Sequence, residues 1–176
     1  GGNLADEATV RFGAPPLINE LITTGQAQAS LNLWNWNARA KLAGKTELMS
    51  VWDMLKALGV SEQPPLLGWA FTDQTAETKT DALVAFLNAS FATKDALRSD
   101  DGVWETIRPV MKVGDDDALF TQLRDDYRVG IVRSYDPDHI EAAEQSFALM
   151  AEHGGPDVVG DVQTLAPGTF WKGYSK

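Results

Sequence analysis

The feature that most constrains the fold of this chain is a change in hydrophobic spacing along its length. In the second half, apolar residues recur three and four positions apart, which is the spacing of one face of an α-helix. The 81–97 segment carries this pattern most clearly, and further helices are predicted over 102–112 and from 115–117 to Tyr127. A last helix is predicted from Asp136 to the Gly-Gly-Pro stop at 154–156, since glycine and then proline commonly follow a helix end.

The first third of the sequence has a different organisation, in which short β-prone runs alternate with short helical segments. Strands are predicted at 9–12, 29–34, 48–51 and 66–71. Helices are predicted from Pro15 to about Gly25, over about 37–43 and over 52–58. Such alternation is typical of a layered α/β domain with parallel strand pairing. We therefore expect an α/β fold with a helical C-terminal half.

Charge and cysteine content exclude several function classes. Fifteen Lys and Arg against 25 Asp and Glu give a net charge of −10, which disfavours binding to a nucleic-acid backbone. The absence of cysteine removes disulfides, thiolate nucleophiles and Cys-based metal sites. No apolar run reaches the roughly 18–20 residues that a membrane-spanning helix needs.

Catalytic and metal-binding motifs are also missing from the sequence. It contains no Walker loop, nucleophile elbow or His-Glu-x-x-His motif, and His139 and His153 are interpreted as surface or capping residues. An EF-hand starting at Asp115 would need Gly where Phe120 stands and Glu where Asp126 stands, so the aspartates are interpreted as a helix cap. We predict no catalytic residue, no metal site and no cofactor.

Two junctions between a predicted strand and a helix are the candidate ligand site. The first carries alternating indoles and carboxamides, which offer stacking faces together with hydrogen-bond donors and acceptors. The second could present backbone amides to an anion, and an arginine one helical step inside the first could pair with that anion. The alternative is that one indole packs in the core while the asparagines cap the helix. The candidate residues are Trp34, Asn35, Trp36, Asn37, Gly13, Ala14 and Arg39.

Six short segments of the sequence share their order with a known family, and they are 12–20, 31–34, 66–71, 91–97, 104–111 and 123–131. Their order resembles that of the nitrate/sulfonate/taurine type of periplasmic solute-binding proteins of ABC importers. Each segment is unspecific by itself, and the resemblance lies in their shared order over approximately Val10 to Gly155. Gln28 and Asn35-Trp36 depart from patterns common in that family, which leaves the ligand class open.

The resemblance implies part of a two-lobe, type II periplasmic-binding-protein fold that captures a small solute in an interlobe cleft. Residues 1–65 would belong to the second lobe, 66–155 would form a crossing strand and helices packing on the first lobe, and 156–176 would be a C-terminal strap. The solute would be an organic or inorganic anion, delivered to a membrane permease. The protein would then be periplasmic, or lipid-anchored outside the cytoplasm.

The family's N-terminal portion, which supplies most of the first lobe, has no counterpart in this sequence. Helices that should cover that lobe would expose apolar faces. Three alternatives follow: an oligomer or a partner chain covers these faces, the sequence is trimmed or rearranged, or the architecture differs from that of the family. One alternative function is therefore a partner-dependent helical interaction module without ligand binding. A second, a pyrimidine-precursor synthase of thiamine biosynthesis, is disfavoured because such enzymes carry a cysteine-rich motif and this chain has no cysteine and two histidines.

Overall fold

A computed structural model describes residues 4–176, and within that range it contains helices and no β-strand. Helices make up 58% of these described residues. Their bounds are α1 (Leu4–Glu7), α2 (Pro15–Thr23), α3 (Trp34–Leu42), α4 (Val51–Ala57), α5 (Asp73–Thr78), α6 (Thr80–Ser99), α7 (Asp101–Met111), α8 (Asp117–Val129), α9 (Pro137–Gly154) and α10 (Pro156–Val159).

The predicted α/β class is therefore wrong, and with it the two-lobe periplasmic-binding-protein fold. None of the four predicted strands forms within the described residues. The backbone is nevertheless extended just before α2, α3, α4, α5 and α9, at Ala14 (ψ 148°), Leu33 (ψ 150°), Ser50 (ψ 160°), Thr72 (ψ 156°) and Asp136 (ψ 178°). A strand also requires a neighbour that pairs with its N–H and C=O groups. The chain is extended at these positions without that neighbour.

The helices of the second half lie where the hydrophobic spacing predicts them, and their caps explain why. The Asp116 carboxylate accepts the Leu119 amide at 2.9 Å at the start of α8. Asp136 likewise accepts the amides of Asp138 and His139 at the start of α9. Gly155 ends α9 with a positive φ of 62°, which favours glycine. The predicted aspartate caps and glycine stop are confirmed.

The described part of the chain divides into two compact units, whose boundaries differ from the predicted ones at 65 and 155. Unit 1 contains the residues up to Leu48 together with 101–130. Within it α3 contacts α2 and α8, and α7 contacts α8. Ala38 is fully buried on α3, where a small side chain lets neighbouring helices approach closely. The remaining buried apolar residues of unit 1 are Trp104, Val113, Phe120 and Leu123.

Unit 2 contains residues 49–100 and 131–176. Its C-terminal residues, which are predicted to form a strap, fold into one short helix and turns, and we call 156–176 the strap. Tyr135 and Lys176 exchange two backbone hydrogen bonds of 2.9 and 2.8 Å. The Tyr174 hydroxyl donates to Asn88 on α6 at 2.9 Å. These bonds hold the strap against α6 and the 131–136 segment.

No helix among residues 4–176 is long and apolar enough to cross a membrane. Many large apolar side chains of the same residues are exposed to solvent, including Phe12 at 93% and Leu67 at 92%. Both residues lie outside the helices, so the expectation of uncovered helix faces stays a prediction.

Candidate functional site

The sequence-predicted ligand residues lie close together in unit 1, but on a helix rather than at a strand end. Trp34, Asn35, Trp36 and Asn37 form the first turn of α3, while Gly13 and Ala14 directly precede α2. The Asn32 side-chain amide donates to the Pro15 carbonyl at 3.0 Å, which joins the two junctions. The structure thus brings the two predicted junctions together.

The side chains at these junctions are largely occupied by contacts within the protein. The Trp34 ring meets Tyr127 edge-on, with centroids 5.5 Å apart. The Arg39 guanidinium lies over the Trp36 ring at 5.4 Å, and the Asn37 amide donates to the Asn32 carbonyl at 3.3 Å. None of the seven candidate residues lines the cavity of about 590 Å³ that lies in unit 2. The predicted site is therefore a surface of packed side chains.

Unit 2 contains a cavity of about 590 Å³ that the sequence does not predict. The cavity is lined by one face of α6 and one face of α9. On each helix the lining residues recur three or four positions apart, which places them on the same side of the helix. The remaining walls are formed by the 64–71 segment, α5, the strap, and Val132 and Tyr135. The lining of the two helices is Leu87, Phe91 and Lys94 on α6 and Ala143, Ser146, Phe147 and Met150 on α9.

Aromatic pairs fix the rings on the cavity wall. Phe71 meets Trp171 of the strap edge-on at 5.3 Å, and Phe91 stacks with Tyr174 at 6.0 Å. The Trp69 ring donates its N–H to the Ser90 hydroxyl at 3.2 Å. Rings held in this way form a preorganised apolar surface, which loses little side-chain entropy when a ligand binds.

The hydroxyl groups on the wall already donate their protons within the protein. Tyr135 donates to the Trp171 carbonyl at 3.0 Å, and burial raises the pKa of its phenol above the ordinary value of 10.0. Ser146 donates to the Ala142 carbonyl, Thr169 to the Ala166 carbonyl and Tyr174 to Asn88. A ligand that needs hydrogen-bond donors must therefore use other groups of the wall.

Two charged side chains line the cavity, Lys94 and Asp73. Lys94 is half-buried, and its ammonium lies 4.8 Å from the centroid of the Phe91 ring. The ammonium of Lys176 lies 5.7 Å from the same ring. Asp73 is exposed, in the first turn of α5. Among residues 4–176, none of these three takes part in an ion pair within 4.0 Å.

A second polar cluster in unit 2 consists of Ser134, Asp136 and His139. His139 Nδ1 lies 2.8 Å from Asp136 Oδ1, and Nε2 lies 3.3 Å from the Ser134 hydroxyl. The His139 bond holds the pKa of Asp136 below its ordinary value. Because Asp136 also caps α9 and none of the three residues lines the cavity, we interpret the cluster as a helix cap. This agrees with the sequence interpretation of His139.

The described residues contain no group of three or more His, Asp or Glu side chains that could hold a metal ion. No protein-family model matches the chain, and no curated protein is significantly similar to it. The interpretation of the site therefore depends on its geometry and on the sequence resemblance.

Proposed function

We propose that this protein captures a small solute without transforming it, and that it does so as the extracytoplasmic solute-binding component of an ABC importer. The observation that carries the proposal is the cavity of about 590 Å³ in unit 2, lined by fixed aromatic rings and few polar groups. Small-molecule sites are typically concave, of about 300–1,000 Å³, and mostly apolar with a few polar groups. The resemblance of the ordered segments supports the importer and its permease as the setting.

The proposed site differs from the one that the sequence suggests. The cavity lies between α6, α9, the 64–71 segment and the strap, whereas Trp34–Asn37, Gly13, Ala14 and Arg39 lie in unit 1. Capture in unit 2 requires no interlobe cleft. Solute contacts at the unit 1 residues stay a separate prediction.

Thermal unfolding with a solute panel tests the proposal. The panel contains nitrate, taurine, alkanesulfonates, aromatic carboxylates and pyrimidines. A solute that binds only the folded state stabilises it by about 2.7 kcal/mol at a hundredfold excess over its Kd, so the Tm must rise. Ala143→Phe places a ring in the cavity and should abolish the rise, whereas Ala92→Phe makes the same change at an exposed α6 position outside the lining and should preserve it.

Two results would contradict solute capture in the cavity. One is a protein that unfolds cooperatively and shows no Tm increase with any solute. The other is a Tm increase that Ala143→Phe leaves intact, because binding would then occur elsewhere.

A second candidate function is a partner-dependent helical interaction module. It is favoured by the large apolar side chains that are exposed among residues 4–176, since extended apolar surface is typical of interaction sites. Native mass spectrometry distinguishes the two functions. A module of this kind should be recovered as an oligomer or with a bound chain and should gain no solute mass, whereas a solute-binding component should gain the mass of its solute.

A further inference from the structure

The wall of the unit 2 cavity is mostly aromatic and aliphatic, and it carries two charged side chains, Lys94 and Asp73. This combination indicates a ligand class. We infer that the cavity takes an amphipathic organic anion, with a bulky aromatic or branched aliphatic body against the rings and one anionic group at Lys94. The inference rests on the proposed function, since it specifies what the same cavity captures.

The size and apolar character of the cavity argue for a bulky body. A small inorganic anion would lose its hydration against walls such as Phe71, Phe147 and Trp171, and burying a charge without full compensation is costly. An organic body of many carbon atoms is stabilised when it leaves water for the same walls. The cavity therefore selects against the smallest anions.

The charges around Phe91 argue for an anionic group. Two ammonium groups, those of Lys94 and Lys176, lie within 6 Å of this ring, in a chain whose net charge is −10. Within the described residues no carboxylate neutralises either of them at ion-pair distance. Lys94 itself lines the cavity and is half-buried, so solvent screens its charge less than that of a surface lysine.

The hydroxyl groups of the wall do not compete with Lys94 for an anion. The protons of the Tyr135, Ser146, Thr169 and Tyr174 hydroxyls are donated within the protein. Asp73 would attract a cation instead, but it is exposed on a short helix, where solvent and salt weaken its field. Lys94 is thus the best-placed group to set the charge preference.

Two fluorescent probes with the same ring body test the inference. Anilinonaphthalenesulfonate carries one sulfonate, and N-phenylnaphthylamine is its uncharged parent. In titrations of the intact chain we expect one saturable site per chain, with the sulfonate bound about tenfold more tightly, as expected for one charged hydrogen bond. Lys94→Gln should remove most of that tenfold difference and leave the neutral probe unchanged. Lys94→Arg should restore the preference.

The matched control is Asp73→Asn, which removes the other lining charge and should not weaken the sulfonate. Circular dichroism checks that each variant keeps its helices. Equal affinity for the two probes, unchanged in Lys94→Gln, would overturn the anion inference and leave solute capture intact. If neither probe binds saturably, or if Ala143→Phe leaves both affinities unchanged, the cavity is not the binding site and the proposed function fails with the inference.

Discussion

At the scale of single residues, Trp104 and Trp34 contact the same Tyr127 ring but differ in how deeply they are buried. Both ring pairs are edge-on with centroids 5.5 Å apart. Trp104 is 3% exposed and Trp34 is 47% exposed. The aromatic contact is therefore the same in type, and the two residues differ mainly in the apolar area that they remove from water.

Alanine substitutions of these tryptophans should separate burial from ring contact. Trp104→Ala should lower the free energy of unfolding by about 3–5 kcal/mol, because it leaves a large cavity in unit 1. Trp34→Ala should lower it by less, about 1–2 kcal/mol, since only about half of the Trp34 side chain is buried. Urea denaturation measures both values. Equal losses would show that Trp104 is not a core residue of unit 1.

The sequence predicts well those interactions that join residues only a few positions apart. Asp116 and Asp136 cap helices because each reaches amides two or three residues ahead, and that spacing is visible in the sequence. The contacts of Trp34 and Lys94 are different. Trp34 meets Tyr127, which lies far along the chain on α8, and Lys94 lines a cavity with Trp171 from the strap. Nothing local in the sequence indicates either contact.

At the scale of elements, α4 has a complete capping box at its first turn. The Ser50 hydroxyl accepts the Asp53 amide at 3.1 Å and donates to the Asp53 carboxylate at 2.7 Å. This hydrogen bond, with a smaller contribution from Lys56, lowers the pKa of Asp53 to about 2 from an ordinary value of 3.8. The ionised carboxylate therefore favours the folded start of α4.

Removing the Ser50 hydroxyl should shift this titration. In Ser50→Ala the pKa of Asp53 should rise towards 3.8, more than in Lys56→Ala, because the serine bond is the larger cause. Because the folded pKa is the lower one, the stabilisation is present above pH 3.8 and is lost as the pH falls towards 2. Carbon-detected NMR of the Asp53 carboxyl measures the shift. An unchanged pKa in Ser50→Ala would contradict the capping box.

Helices and strands differ in how far the sequence determines them. The apolar spacing of Leu83, Leu87 and Phe91 on α6 is local, as are the caps of α8 and α9, so the predicted helices form close to their expected bounds. A β-prone run such as 66–71 becomes a strand only if a partner pairs with its backbone. In the structure this run forms neither helix nor strand and lines the cavity instead.

At the scale of the whole molecule, the cavity is assembled from segments that are distant in sequence. Residues 64–71 and α6 lie in one stretch of unit 2, whereas α9 and the strap lie in another, after the residues of unit 1. Composition and hydrophobic spacing give no information about such an assembly. This is why the sequence indicates the indole-rich junction at Trp34–Asn37 as the site and does not indicate the cavity.

The central claim is that the unit 2 cavity is the place where a solute binds, and amide NMR tests it most directly. Titrating the isotopically labelled chain with anilinonaphthalenesulfonate should shift the amides of residues 66–71 and 169–174 along one saturable curve. The amides of residues 34–39 should not follow that curve. Saturable shifts at 34–39 with none around the cavity would contradict the account and return the site to the junction that the sequence suggested.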